Sequence, residues 1–213
     1  AANNETGIMQ PVDEISNLCR KHGSLFHCDA TQVFGRYPFA VAADFITVSA
    51  HKFGGPRGVG AMIAPKPPEV LLRGGKQERG ARGGTVNVPG IVGFAGAVGL
   101  EENWSGKEKQ KLEAFCLANG GRVIGSDAKR IPNTFSVLFD IPGDLIVTAL
   151  DLAGIQASTG SACSSGSSGD SHVLKACGIK GTPVRFSFGP QSTSSTTITA
   201  LGTILKSMGA TCV

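Results

Sequence analysis

Three side chains in this sequence stand where their chemistry is hard to ignore. Lys52 follows the apolar run Phe45-Ile46-Thr47-Val48-Ser49 through Ala50 and His51, and leads into Phe53-Gly54-Gly55. A lysine there either snorkels to solvent along its own methylene stem or is aimed by the strand at the crevice where open sheets bind ligands. In the second case it is a partly desolvated amine of lowered pKa, able to form a Schiff base. Asp29 closes Phe26-His27-Cys28-Asp29, and an acid after mostly apolar residues needs a cationic or hydrogen-bonding partner. It either caps the residues after Ala30 or faces a protonated pyridine nitrogen, the partner that pyridoxal 5'-phosphate (PLP) requires. Lys52 comes 23 residues after Asp29, roughly one βα unit, so both can address one cofactor. Cys163 lies in Gly160-Ser161-Ala162-Cys163-Ser164-Ser165-Gly166 with no apolar neighbours to pack against, which marks an exposed nucleophile on a swinging loop.

The elements that must hold these residues alternate between strand and helix. Hydrophobic periodicity and breakers predict a helix over 12–22 with Ile15, Leu18 and Cys19 as its apolar stripe, then strands at 25–28, 45–49 and 59–63. An apolar, glycine- and alanine-rich helix is expected over 88–102 and another near 107–118. A strand at 135–139, a helix at 145–153, a Ser/Gly-rich loop at 158–171 and a short helix at 172–177 follow. The chain then closes with a strand at 184–188 and a helix at 194–208 that sets Ile198, Leu201, Ile204, Leu205 and Met208 on one face. This alternation means an α/β layer architecture. Residues 103–108 are the expected domain boundary.

Composition narrows the classes. Of 213 residues, 41% are hydrophobic and 17% charged, which provides for a core and argues against a disordered chain. No apolar run reaches the ~18 residues of a membrane span; nor does a basic-then-apolar leader open the chain. The net charge of +4 suits an anionic small molecule better than a nucleic-acid track. Glycine, at 30 residues, is about twice as frequent as usual and clusters beside Ser, Lys and Arg, as tight turns around an anion would. The six cysteines form neither a CxxC pair nor a zinc spacing. A reducing, cytosol-like compartment is expected, with Cys19, Cys28, Cys116 and Cys177 as buried fillers.

Four blocks carry a family resemblance: His-Cys-Asp-Ala-Thr-Gln, Ser-Ala-His-Lys-Phe-Gly-Gly-Pro-Arg-Gly-Val-Gly, Gly-Gly-Lys-Gln-Glu-Arg-Gly-Ala-Arg-Gly-Gly-Thr and Ser-Thr-Gly-Ser-Ala-Cys-Ser-Ser-Gly. In this order they resemble the NifS/IscS-type cysteine desulfurases, PLP enzymes of the class V aminotransferase group. The resemblance implies a fold-type I PLP-dependent transferase, with residues 1–102 as part of the large cofactor domain and 103–213 as the small α+β domain. It gives Lys52 the covalent bond to PLP, Asp29 the pyridinium nitrogen and Gln32 the phenolic oxygen. Asn4 touches cofactor and substrate, while Ser49 and His51 hold the phosphate. Thr85 reaches that phosphate from the second subunit of a homodimer, and Arg185 clamps the substrate carboxylate, a bidentate task for a guanidinium. Cys163 matches the persulfide-forming cysteine.

The implied reaction turns L-cysteine into L-alanine and passes sulfur to an acceptor or iron–sulfur scaffold protein, in the cytoplasm or, in a eukaryote, the mitochondrion. Members of the family are about twice this length, and the part that precedes Ala1 in them carries the histidine that stacks on the PLP ring. A selenocysteine lyase shares the same site, and a non-catalytic scaffold would share only the fold. The segment Arg73–Gly84 superficially looks like an RNA-binding Arg-Gly-Gly tract. It lacks interleaved aromatics and contains Glu78, so nucleic acid is not expected as a partner, nor is a metal; in the family this loop lies at the dimer interface.

Overall fold

A computed structural model of the chain describes residues 1–67, 69, 73–99, 106–160, 171–189 and 191–209. Two compact units emerge, one made of Ala1 and Gln10–Glu102, the other of Ala2–Met9 and Asn103–Val213. Residues 2–9 join the second unit because their backbone is paired there: Ile8 bridges Arg130, and the Gly7 carbonyl accepts from the Ile131 amide at 2.9 Å.

In the first unit, helix α1 (Val12–Lys21) starts after Pro11 with Asp13 and Glu14 in its first turn and ends with Arg20 and Lys21, an arrangement that suits the helix dipole. Gly23, at φ +63°, takes the chain out of it. The expected apolar stripe only partly makes its buried face, with Ile15 and Cys19 half-buried on either side of Ser16. Ser16 is the buried residue, its hydroxyl donating to the Ala42 carbonyl, while Leu18 is 58% exposed. Strands β1 (His27–Asp29), β2 (Phe45–Ser49) and β3 (Gly60–Ile63) form a sheet in that order, β1 parallel to β2 and β2 antiparallel to β3. The first strand begins two residues later than the apolar run predicts, leaving Leu25 exposed. Helix α2 (Val88–Ala97) is capped by Asn87, whose Oδ1 accepts from the Gly90 amide at 3.1 Å.

The second unit is an antiparallel sheet of β4 (Arg122–Val123), β5 (Thr134–Leu138) and β6 (Val184–Ser187) with β5 in the centre. Helices α3 (Lys107–Ala118), α4 (Gly143–Leu152) and α6 (Ser195–Ser207) pack together against it, with the short α5 (His172–Ala176) beyond. Every residue of β5 is buried, and Leu112, Phe135, Ile146, Leu150 and Leu201 are fully so. Each such side chain contributes about 1.5–3 kcal/mol by leaving water. Among the described residues no helix is long and apolar enough to cross a membrane.

Candidate active site

Alternation along β1 decides what the first unit can offer a ligand. His27 and Asp29 are exposed on one face of the sheet, and Cys28 is buried on the other. His27 Nε2 lies 3.1 Å from Thr47 Oγ1, and Asp29 is the register partner of Thr47, so His27, Asp29, Thr47 and Ser49 share one polar face. Asp29 does cap the turn that follows: its Oδ1 accepts from the Thr31 amide at 2.8 Å. That bond engages one of the carboxylate's two oxygens. Gln32, in that turn, accepts at Oε1 from Arg36 Nη1 at 3.3 Å, which leaves its amide nitrogen as a donor.

Ser49 ends β2, and the chain passes at once into a 3-10 turn, Ala50–Lys52. Two anchors hold the turn. Ala50 is fully buried, and the Phe53 ring packs edge-on between Phe34 and Phe94, at centroid distances of 5.1 and 5.5 Å. Phe34 follows Gln32 by two residues, so one aromatic contact fixes both the Gln32 turn and the Lys52 turn. The contact requires glycine at position 35, where φ is +71° and a Cβ would come within 2.7 Å of Phe53 Cβ.

The electrostatics of this turn are one-sided. Desolvation, followed by the positive charges of Lys52, Arg57 and Arg36, lowers the pKa of the His51 imidazole. Four basic groups thus converge at the carboxyl end of β2, an arrangement that a polyanion would relieve. The sequence reading missed Arg36 and Arg57. Arg57 had a usable signal, since it continues the Lys52 block as Gly-Gly-Pro-Arg-Gly. Arg36 is brought in only by the turn after Asp29. Thr85 is exposed directly after Gly84, at the end of a loop in which Gly74 and Gly83 back onto each other so closely that a Cβ on either would clash with the other's backbone.

The second unit brings Asn4 and Arg185 together. Arg185 Nη1 donates to the Asn4 carbonyl at 3.0 Å, and the Arg185 backbone pairs with Ser158, five residues before Cys163. Desolvation lowers the Arg185 pKa, and the charge of Glu5 opposes that shift. Glu5 is a functional candidate that the sequence reading passed over. Cys163 itself lies outside the described residues. Of the other cysteines, Cys28 and Cys116 are buried as expected, and burial pushes the Cys116 thiol up to about 12. Cys177 is exposed and Cys19 half-buried, because α5 is too short to bury Cys177 just beyond its end and α1 turns Ser16 inward instead.

Comparison with known proteins assigns this mixed α/β chain to a family. Residues 1–197 match the family model "Aminotransferase class-V"; the chain belongs to that family. It is 41% identical over 210 residues to a cysteine desulfurase of Cereibacter sphaeroides, covering 91% of this chain and 54% of that protein. A cysteine desulfurase of Klebsiella pneumoniae is 43% identical over 192 residues, covering 84% and 48% respectively. The chain spans about half the length of the curated relatives it matches. Its fold is that of the NifS-like proteins, fold-type I: the structure from Rickettsia africae superposes with a TM-score of 0.86 at 30% identity, covering 96% of this chain and 60% of the other.

Proposed function

We propose that this protein is a PLP-dependent cysteine desulfurase. What carries the reading is the Lys52 turn at the end of β2, where the charges of Lys52, Arg57 and Arg36 all bear on His51, with Asp29 on the neighbouring parallel strand. These residues fit the cofactor's two demands, an anion site for its phosphate and a carboxylate for its ring nitrogen. PLP, when bound, supplies a covalent handle for the substrate amine and an electron sink for the Cα–H bond.

The protein's own residues do the rest. Lys52 would hold the cofactor through its Nζ and, as a free amine, would take the substrate's Cα proton. Asp29 would hold the ring nitrogen, and the Gln32 amide nitrogen would donate to the phenolic oxygen. Ser49 and His51 take the phosphate, backed by the charges of Arg36 and Arg57, with Thr85 contributed by the second subunit of a homodimer. Asn4 and Arg185 bind the substrate, Arg185 through its carboxylate. The Cys163 thiolate forms the new S–S bond as the substrate's Cβ–S bond breaks; the electron pair stays with Cβ, which gains a proton, so L-alanine is released and the protein keeps a persulfide for a sulfur acceptor such as an iron–sulfur scaffold protein. Residues 1–102 serve as part of the cofactor domain and 103–213 as the small domain, and the setting is cytoplasmic.

Further support comes from a solved relative, SspA in complex with cysteine, which superposes with a TM-score of 0.75 at 30% identity. The test is product analysis of the cofactor-loaded protein given L-cysteine and a thiol reductant. Alanine and sulfide in equal amounts are expected; turnover of selenocysteine alone, or no alanine at all, contradicts the proposal.

A further inference from the structure

Gln32 and Arg36 stand at the two ends of one turn. The Val33 and Phe34 amides both donate to the Ala30 carbonyl, at 3.0 and 2.9 Å, and the Arg36 amide donates to the Val33 carbonyl at 3.1 Å. Ala30 and Val33 are fully buried, which anchors the turn in the core of the first unit. Across it, Arg36 Nη1 donates to Gln32 Oε1 at 3.3 Å. A guanidinium carries donors and no acceptor, so the end of the Gln32 amide that faces it has to be the oxygen. The NH2 end of the amide is thereby kept for another acceptor.

This turn is tied to the one that carries Lys52. The Phe34 ring meets the Phe53 ring edge-on at 5.1 Å, and Phe53 follows Lys52 directly. The guanidinium is felt there too: after desolvation and the charges of Lys52 and Arg57, the charge of Arg36 lowers the His51 pKa. Arg36 therefore bears on both turns, on one through a hydrogen bond and on the other through its charge.

We propose that Arg36 is a positioning residue: by holding the Gln32 carbonyl oxygen, it commits Gln32 to present an N–H donor to the phenolic oxygen of PLP. The proposal rests on the PLP reading of the Lys52 turn. Without a donor-only neighbour the Gln32 amide is free to flip, which sets its oxygen against a negatively charged oxygen and replaces a hydrogen bond with a repulsion.

The test is the pH midpoint of the visible absorbance of the PLP-loaded protein, measured in the parent, Arg36→Met, Gln32→Ala and the double variant. A donor to the phenolic oxygen favours its charged form and keeps a proton off, so losing that donor moves the midpoint up. Losing a nearby cation moves it the same way, and the four proteins together separate the two causes. Each single substitution is expected to raise the midpoint, and Arg36→Met to add little once Gln32 is gone. An unchanged midpoint in Arg36→Met overturns the proposal by making the pair merely structural. Equal shifts from Arg36→Met with and without Gln32 overturn it as well, because the arginine then acts as a bare charge. Should Arg36→Met fold poorly, Arg36→Gln replaces it in the same comparison, since an amide both donates and accepts and no longer dictates which end of Gln32 faces it. Failure of the PLP reading shows separately, as parent protein that takes up no PLP, and removes the proposal with it.

Discussion

Asp29 and Thr47 face each other across the parallel pairing of β1 and β2, and from Thr47 the chain needs only five more residues to reach Lys52. The pairing sets a carboxylate and an amine at the carboxyl ends of adjacent strands, where an open α/β sheet presents its ligand site. The short turn between Ser49 and Phe53 leaves little play in where the amine begins. The relationship is one of backbone register, so substitutions that spare the strands should remove the chemistry without moving the frame.

His51 reports on the anion site. Its pKa lies below the ordinary value, lowered by desolvation and then by the charges of Lys52, Arg57 and Arg36. A folded-state pKa below the unfolded one also means that stability falls as pH drops through the unfolded value. An anion should reverse the shift. Adding PLP or inorganic phosphate is expected to raise the His51 pKa, read by NMR titration of the ring. A pKa that ignores both would remove His51 from the phosphate site.

Gly35 is expected to matter more than a turn glycine normally does. Gly35→Ala forces a Cβ against Phe53 at positive φ, costing about 1–3 kcal/mol in overpacking and backbone strain. Because Phe53 follows Lys52 directly, cofactor retention should fall together with the unfolding midpoint. Normal retention in a destabilised variant would show that the Phe34–Phe53 contact does not place the lysine.

How much of this could be read from the residues depends on range. The Lys52 and Asp29 turns were legible because strand, polar end and glycine follow one another within a few positions. The positions of α3, β5 and α6 were legible because they bury continuous or periodic apolar faces. What stayed hidden came from distant contacts. Strand β4 has two residues and hence no period, α1 buries a serine between Ile15 and Cys19 and exposes Leu18, and Arg36 enters the cation cluster through a turn. Glu5 looked like one polar residue among several in Asn-Asn-Glu-Thr-Gly, because its burial depends on Ser136, whose hydroxyl donates to the Glu5 carbonyl from 131 residues away.

Acid sensitivity of the second unit should trace to Glu108. Its carboxylate accepts from Lys111 Nζ at 2.5 Å and from the Ser194 hydroxyl and amide at 2.7 and 2.8 Å at the start of α6, and these bonds hold its pKa at about 2. A pKa depressed on folding gives stability that is present above the ordinary carboxylate value of about 4.3 and is lost as pH falls toward 2. Urea midpoints measured across that window should decline in the parent and run flatter in Glu108→Gln. Parallel declines would show that other carboxylates govern the acid limb.

The central claim is that Lys52 is the covalent attachment point for PLP, and borohydride reduction of the cofactor-loaded protein followed by peptide mass analysis tests it most directly. The expected result is one reduced pyridoxyl phosphate adduct, on the peptide containing Lys52, absent from Lys52→Ala. An adduct on a different lysine, or none on a protein that otherwise turns over L-cysteine, would contradict the account.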